Sequence, residues 1–304
     1  MTTQELRLLP AAEVWRDSRG KVIQAHGGGV MHFDGVYYWF GENREVETID
    51  GNVSGISCYS SIDLLNWNSE GIVLPVVKDD PNHDLFFRNV IERPKVIYNR
   101  KTATFVMIFH SDSPDYKRAK IAVATSGSPT GPYQYRESLR PNHSESRDMT
   151  IYQDEDESAY LVYSSEGNST MHIARLSDDY LQVMDDFVRV FEGQYREAPA
   201  VLKWRGKYFL ITSGCTGWKP NAAQYAVADT MMGPWTVIGN PCVGSNAETT
   251  FQSQSTFVLQ VGSRYVLMAD RWNPGALYDS RYVWLPICLD SPSTLRIFWD
   301  AHSN

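Results

Sequence analysis

Short apolar stretches alternate with polar turns along this chain, and no long segment keeps the 3.6-residue apolar period of a helix. One unit recurs five times. It opens on a polar residue, leaves two spacer positions, enters an apolar strand, turns, and returns as a second strand rich in aromatics. The copies open at His26 (HGGGVMHFDGVYYWFGE), Glu92 (ERPKVIYNRKTATFVMIFH), Asp148 (DMTIYQDEDESAYLVYSS), Glu197 (EAPAVLKWRGKYFLITSG) and Gln254 (QSTFVLQVGSRYVLMADR). Asp34-Gly35, Asn99-Arg100, residues 154–157, Arg205-Gly206 and Gly262-Ser263 mark the turns, which carry hairpin signals. A third strand follows each pair, opening near Gly55, Lys120, Met171, Ala223 and Tyr282, and a fourth is expected in each unit, for example over 235–238.

Units of three or four strands repeating at intervals of about 50 residues are the mark of propeller blades. The pattern therefore predicts an all-β fold, a five-bladed β-propeller, with residues 1–304 forming one domain and no linker dividing it. A β-sandwich would account for many short strands but not for five matched copies. Residues 75–84 and 140–146, rich in Pro, Asn, Asp and Ser, read as surface loops.

Composition adds three constraints. The 9 Trp, 17 Tyr and 12 Phe are a heavy aromatic load, suited to strands and to stacking on sugar rings. A net charge of −8 excludes the basic surface that nucleic acid requires and favours a neutral ligand. Cys58, Cys215, Cys242 and Cys288 are scattered, with no disulfide framework or zinc spacing, and read as reduced buried thiols. The opening residues show no basic and apolar leader, and no run of about 18 apolar residues could span a membrane. The expected location is the cytoplasm, or outside the cell after removal of a leader.

In a propeller the innermost strand of each blade lines the central channel. His26, Glu92, Asp148, Glu197 and Gln254 should therefore ring one pocket. Converging carboxylates are costly to desolvate unless used or paired, and their crowding raises one carboxyl pKa, as a general acid requires. Paired carboxylates across a sugar-sized pocket are the working parts of glycosidases. Glu92 and Glu197 each stand two residues ahead of a Pro, Pro94 and Pro199, which is expected to keep the residue between them extended. His26 has no partners at zinc spacing, so no metal or other cofactor is expected.

These residues resemble glycoside hydrolase family 43 over essentially the whole chain. Glu197-Ala-Pro-Ala with Gly206-Lys-Tyr-Phe looks like that family's general-acid strand, and Asp148 like the carboxylate that tunes the acid and orients the substrate. The resemblance implies a five-bladed propeller and inversion at the anomeric carbon. The first blade, Ala25-His26-Gly27-Gly28-Gly29, lacks the general-base Asp of most members. With residues 37–43 (YYWFGEN), it is similar to the exo-β-1,3-galactanase subfamily, which also lacks that base. That likeness implies an exo-acting enzyme releasing galactose from β-1,3-galactan, with Gln254 (or Gln252) activating water as an imidic acid and Glu92 contacting the terminal galactose. It further implies sugar contacts from Glu42, Tyr116, Asn168 and Thr216; Trp218 and Trp272 are candidates for stacking on sugar faces, and His26 is a candidate substrate ligand or a buried structural His. Two alternatives stay open: an arabinofuranosidase or xylosidase of the same family, and an inactive carbohydrate-binding propeller. The partner expected is an oligo- or polysaccharide; the oligomeric state is not legible.

Overall fold

The computed structural model describes residues 6–45 and 54–299. Five antiparallel sheets follow one another along the chain. The first holds β1 (His26–Phe33), β2 (Val36–Asn43), β3 (Gly55–Ser61) and β4 (Asn68–Pro75). The second holds β5 (Val90–Asn99), β6 (Thr104–Asp112), β7 (Lys120–Ser126) and β8 (Gln134–Leu139). The third holds β9 (Met149–Gln153), β10 (Ala159–Ser165), β11 (Thr170–Leu176) and β12 (Val183–Val190), and the fourth β13 (Arg196–Trp204), β14 (Lys207–Gly214), β15 (Gln224–Ala228) and β16 (Thr236–Gly239). In the fifth, β17 (Cys242–Val243) pairs in parallel with the outermost strand of the run β18 (Gln254–Val261), β19 (Arg264–Arg271), β20 (Arg281–Ser291) and β21 (Thr294–Phe298). The fold is the five-bladed β-propeller that the repeat predicts.

The hairpins form where the turn chemistry places them. Asp34-Gly35 and Arg205-Gly206 both adopt positive φ at two successive positions, the backbone that a tight two-residue hairpin demands. The second and third strands of each blade are covered on both faces, which is why their sequences are largely apolar runs, while the outermost strands are exposed. Along β6, Phe105, Met107 and Phe109 pack toward the first blade while Val106 and Ile108 pack toward the third. The core is accordingly five separate clusters, one between each pair of adjacent blades.

The innermost strands carry the feature that builds the site. Register shifts occur between His26 and Gly29, Glu92 and Lys95, and Glu197 and Ala200. Each marks a β-bulge, and the residue after the polar one is left-handed: Gly27 (φ 59), Arg93 (φ 55) and Ala198 (φ 54). This corrects the expectation of extended backbone ahead of Pro94 and Pro199. The bulge overrides the pre-proline preference because it turns the inner strand's N–H toward the neighbouring blade, where a carboxylate takes it. Gly27 donates to Asp270 Oδ2 at 2.5 Å, Arg93 to Glu42 Oε1 at 3.0 Å, and Ala198 to Asp148 Oδ2 at 3.1 Å. In every case the carboxylate comes from the preceding blade around the ring. A left-handed non-glycine residue costs on the order of 1–3 kcal/mol, so Arg93 and Ala198 are held by these contacts.

Gly28 shows how tightly the bulge is packed. A Cβ there would stand 1.9 Å from the Phe40 carbonyl oxygen, which is backbone and cannot yield. Gly28→Ala is therefore expected to destabilise the protein by about 1–3 kcal/mol, the usual cost of overpacking, read as a lower urea midpoint at unchanged slope.

Candidate active site

Four of the five ring positions converge. Glu197 stands at the start of β13, where its Oε1 accepts a hydrogen bond from Gln254 Nε2 at 2.9 Å. Gln254 also donates to Ser213 Oγ (3.0 Å), and its Oε1 accepts from Arg93 Nη2 (2.7 Å) and Trp272 Nε1 (2.9 Å). Both amide hydrogens and both oxygen lone pairs are thus engaged. Asp148, just ahead of β9, pairs through Oδ2 with Arg93 Nη2 at 2.9 Å. Arg93 is the hub: nearly fully buried, it links Asp148, Gln254 and the Ser255 carbonyl (2.9 Å).

Burial, then the negative charge of Asp148, pushes the Glu197 carboxyl up to about 7, against the opposing pull of Arg93, Cys215 and Gln254. A carboxylic acid poised near neutrality can both hold and release a proton at working pH. Glu92 lies at the opposite extreme. Burial would raise it, but His110, Arg44 and Tyr116 together hold it down at about 2. Tyr116 Oη donates to Glu92 Oε1 at 3.0 Å, and Arg44 Nη2 lies 3.3 Å from the same oxygen. His110 Nε2 sits 3.1 Å from Asp112 Oδ2, while its Nδ1 is 3.4 Å from Glu92 Oε2, an ion-pair distance without hydrogen-bond alignment. Burial disfavours the His110 imidazolium, yet Asp112 and Glu92 outweigh it and lift its pKa to about 9. Glu92 is therefore ionised at neutral pH while Glu197 still holds its proton part of the time, the split in pKa that paired-carboxylate chemistry uses. Glu92, His110 and Asp148 also place three potential ligand atoms within 4.8 Å of one another, but Arg44 and Arg93 already neutralise these carboxylates, so the donor set suits a sugar better than a cation.

The remaining predicted residues divide between wall, rim and interior. Trp272 flanks Gln254, and the partly exposed Trp218 meets it edge-on with ring centroids 5.4 Å apart. Together with Gln252 they line an open pocket that reaches down to Gln254 and Asp270. Thr216, exposed, accepts from Asn221 Nδ2 at 2.7 Å in the loop beside that pocket. Asn168, in the β10–β11 turn, accepts from Ser164 Oγ at 3.1 Å near the entry to β13.

Two of the predicted residues lie deeper than the others. His26 is fully buried and stacked on Tyr282, with neither ring nitrogen hydrogen-bonded, and burial holds it neutral at a pKa of about 3. Glu42 is equally buried, because its oxygens are taken by Arg44 Nε (2.8 Å) and the Arg93 amide. The thiol reading changes at two positions: Cys215 and Cys288 are only partly buried, and Cys215 hydrogen-bonds Glu197.

A propeller that sets a carboxyl poised near neutrality close to an ionised one has the working parts of a glycoside hydrolase. The chain belongs to glycosyl hydrolases family 43, whose sequence profile matches residues 28–270. It is similar to a family 43 β-1,3-galactosidase solved with galactodeoxynojirimycin, at 41% identity and a TM-score of 0.92, covering 96% of this chain and 99% of that one. It is also similar to the Phanerochaete chrysosporium exo-β-1,3-galactanase solved with β-1,3-galactotriose, at 37% identity and a TM-score of 0.89, covering 95% of this chain and 66% of the other. A β-D-galactofuranosidase of Aspergillus niger is 25% identical over 234 residues, which are 74% of this chain and 65% of that protein. The chain thus spans about two thirds of the length of these two fungal proteins.

Proposed function

We propose that this protein is an exo-acting, inverting β-1,3-galactosidase that releases galactose from the non-reducing end of β-1,3-linked galactan or its oligosaccharides. The reading rests on one observation above the rest: Glu197, a partly buried carboxyl pushed up to about 7, lies close to Asp148 and accepts from Gln254, which lines an open pocket. In this reading Glu197 protonates the glycosidic oxygen as the bond to the anomeric carbon breaks, and water attacks that carbon from the other face. Asp148, after burial itself, keeps Glu197 protonated, and Arg93 fixes Asp148 in place. Glu92, ionised and braced by Arg44, His110 and Tyr116, accepts hydrogen bonds from sugar hydroxyls. Trp218 and Trp272 offer aromatic faces to the rest of the oligosaccharide. The relatives solved with galactodeoxynojirimycin and β-1,3-galactotriose favour galactose over arabinose or xylose. The Aspergillus galactofuranosidase makes a furanoside the competing substrate.

The test is a time-resolved proton NMR spectrum of the protein acting on β-1,3-galactobiose, run beside aryl β-galactofuranoside, arabinofuranoside and xyloside. α-Galactopyranose should appear first from the disaccharide, before mutarotation. β-Galactose appearing first would exclude inversion. Faster cleavage of a furanoside or xyloside would move the substrate class, and sugar binding without turnover would make the protein a lectin.

A further inference from the structure

Glu92 stands opposite His110 in the β5–β6 register, so the two side chains project from the same face of the second blade. Asp112, two residues further along β6, lies on that face as well. The three form a chain that begins at the backbone. Asp112 Oδ1 accepts from the Ser113 amide at 2.8 Å and the Ala119 amide at 2.9 Å. Its Oδ2 lies 3.1 Å from His110 Nε2, and the other ring nitrogen, Nδ1, lies 3.4 Å from Glu92 Oε2. His110 and Asp112 are sealed from solvent, whereas the Glu92 side chain keeps 16% of its surface exposed. Of the three, only Glu92 can meet a ligand.

The two oxygens of Glu92 are not equivalent. Oε1 accepts from Tyr116 Oη at 3.0 Å and faces Arg44 Nη2 at 3.3 Å. Oε2 faces the His110 nitrogen, which approaches without the alignment of a hydrogen bond. A carboxylate oxygen offers two lone pairs, so Oε2 keeps the capacity to accept from a hydroxyl. The Nδ1 atom is itself closed to solvent, so His110 acts on a ligand through Glu92 and not by touching it.

Resting on the galactosidase reading above, we propose that Asp112 and His110 are positioning residues that hold Glu92 as an ionised acceptor for one hydroxyl of the terminal sugar. Asp112 keeps both ring nitrogens of His110 protonated. The imidazolium then opposes protonation of Oε2 without consuming its lone pairs. The sugar-binding carboxylate therefore stays charged over the acid range in which Glu197 holds the proton it must donate. Binding and acid catalysis, both carried by carboxyl groups, are in this way kept from titrating together.

The charges packed around the chain suit the role. Burial disfavours the His110 cation, but Asp112 and Glu92 outweigh it and lift the group to about 9. From the end of β2, Arg44 faces Glu92, and the Glu42 carboxyl beside it bears on the same group. Tyr116, in the loop after β6, places its ring 6.0 Å from that of His110. Asp148, ahead of β9, brings a carboxylate oxygen within 4.8 Å of ligand atoms on both Glu92 and His110, and Arg93 pairs with it. One imidazole thus sits among three carboxylates, an environment that keeps it charged.

The test compares Glu197→Gln, which should bind β-1,3-galactobiose without cleaving it, with the double variant Glu197→Gln/Asp112→Asn. Asparagine still offers an oxygen to the Ser113 and Ala119 amides but turns an amide toward His110 Nε2, which fixes the neutral ring. Burial is then opposed by fewer charges and raises the Glu92 pKa. Calorimetric titration at several pH values should show the ratio of the two Kd values growing about tenfold from pH 7 down to about pH 4, the effect of one pKa unit. Taking the ratio cancels titration elsewhere in the pocket, Asp270 included. A ratio that stays constant with pH would overturn the proposal, since a merely structural loss gives that result. The nitrogen shifts of the His110 ring in the sugar-free wild-type protein should show it doubly protonated up to about pH 8. A neutral ring at pH 7 would overturn the proposal even if the double variant does not fold. Galactobiose neither bound by Glu197→Gln nor cleaved by the wild type would instead sink the galactosidase reading, and a charged His110 seen in the same protein would tell that failure from this one.

Discussion

Glu197→Gln is expected to lower kcat on β-1,3-galactobiose by about 10²–10⁴-fold, the span that positioned acid catalysis contributes. The folded protein should be preserved. The amide can still accept from Gln254, and the substitution removes a carboxylate that burial and Asp148 both resist ionising. The sign of the stability effect follows from the raised pKa. A buried carboxyl that must ionise costs folding free energy as pH climbs through about 7, so above that pH the variant should melt no lower than the wild type. The same group sets the alkaline side of activity. Catalysis needs Glu197 protonated, so kcat/KM should decline as pH rises through about 7. Melting curves and pH–rate profiles measured on one preparation check both expectations.

Arg93→Met should be the most damaging substitution for stability, at about 3–5 kcal/mol, the cost of removing one partner from a buried ion pair. Its guanidinium reaches Asp148, Gln254 and the Ser255 carbonyl from a nearly sealed position, and methionine fills the volume but satisfies none of them. Activity should fall as well, because Asp148 and Gln254 both lose the group that aims them. Arg93→Lys restores the charge without the planar fork, so it should recover part of the stability and less of the activity. Urea unfolding and kcat/KM for the two variants separate these effects.

The architecture was legible because its determinants are local. Asp34-Gly35 and Arg205-Gly206 announce hairpins within a few residues, and the polar position that opens each unit recurs in register five times. Glu92, Asp148, Glu197 and Gln254 were found by that register alone. Arg93 was hidden because its importance lies in contacts with Gln254 and Ser255, more than 160 positions away. The Asp270 latch was hidden similarly, because the Gly27 amide that donates to it lies 243 residues earlier. The left-handed turns at Arg93 and Ala198 run against the preference of a residue before proline, and only the neighbouring blade's carboxylate reveals why. The burial of His26 was not legible, since its partner in stacking, Tyr282, lies on the last blade.

The join between the first and last blades has its own consequence. Among the described residues no strand passes from one blade to the other. The seam is closed by the Ala12 amide on the Tyr282 carbonyl and by a cluster of Trp15, Trp39, Tyr282 and Trp284. Each blade is therefore a contiguous stretch of chain, able to fold as it leaves the ribosome without waiting for a distant segment. Only the ring closure has high contact order, and it must await residue 284. Closing the ring also brings the Asp270 carboxylate onto the Gly27 amide, so the last blade latches the bulge of the first.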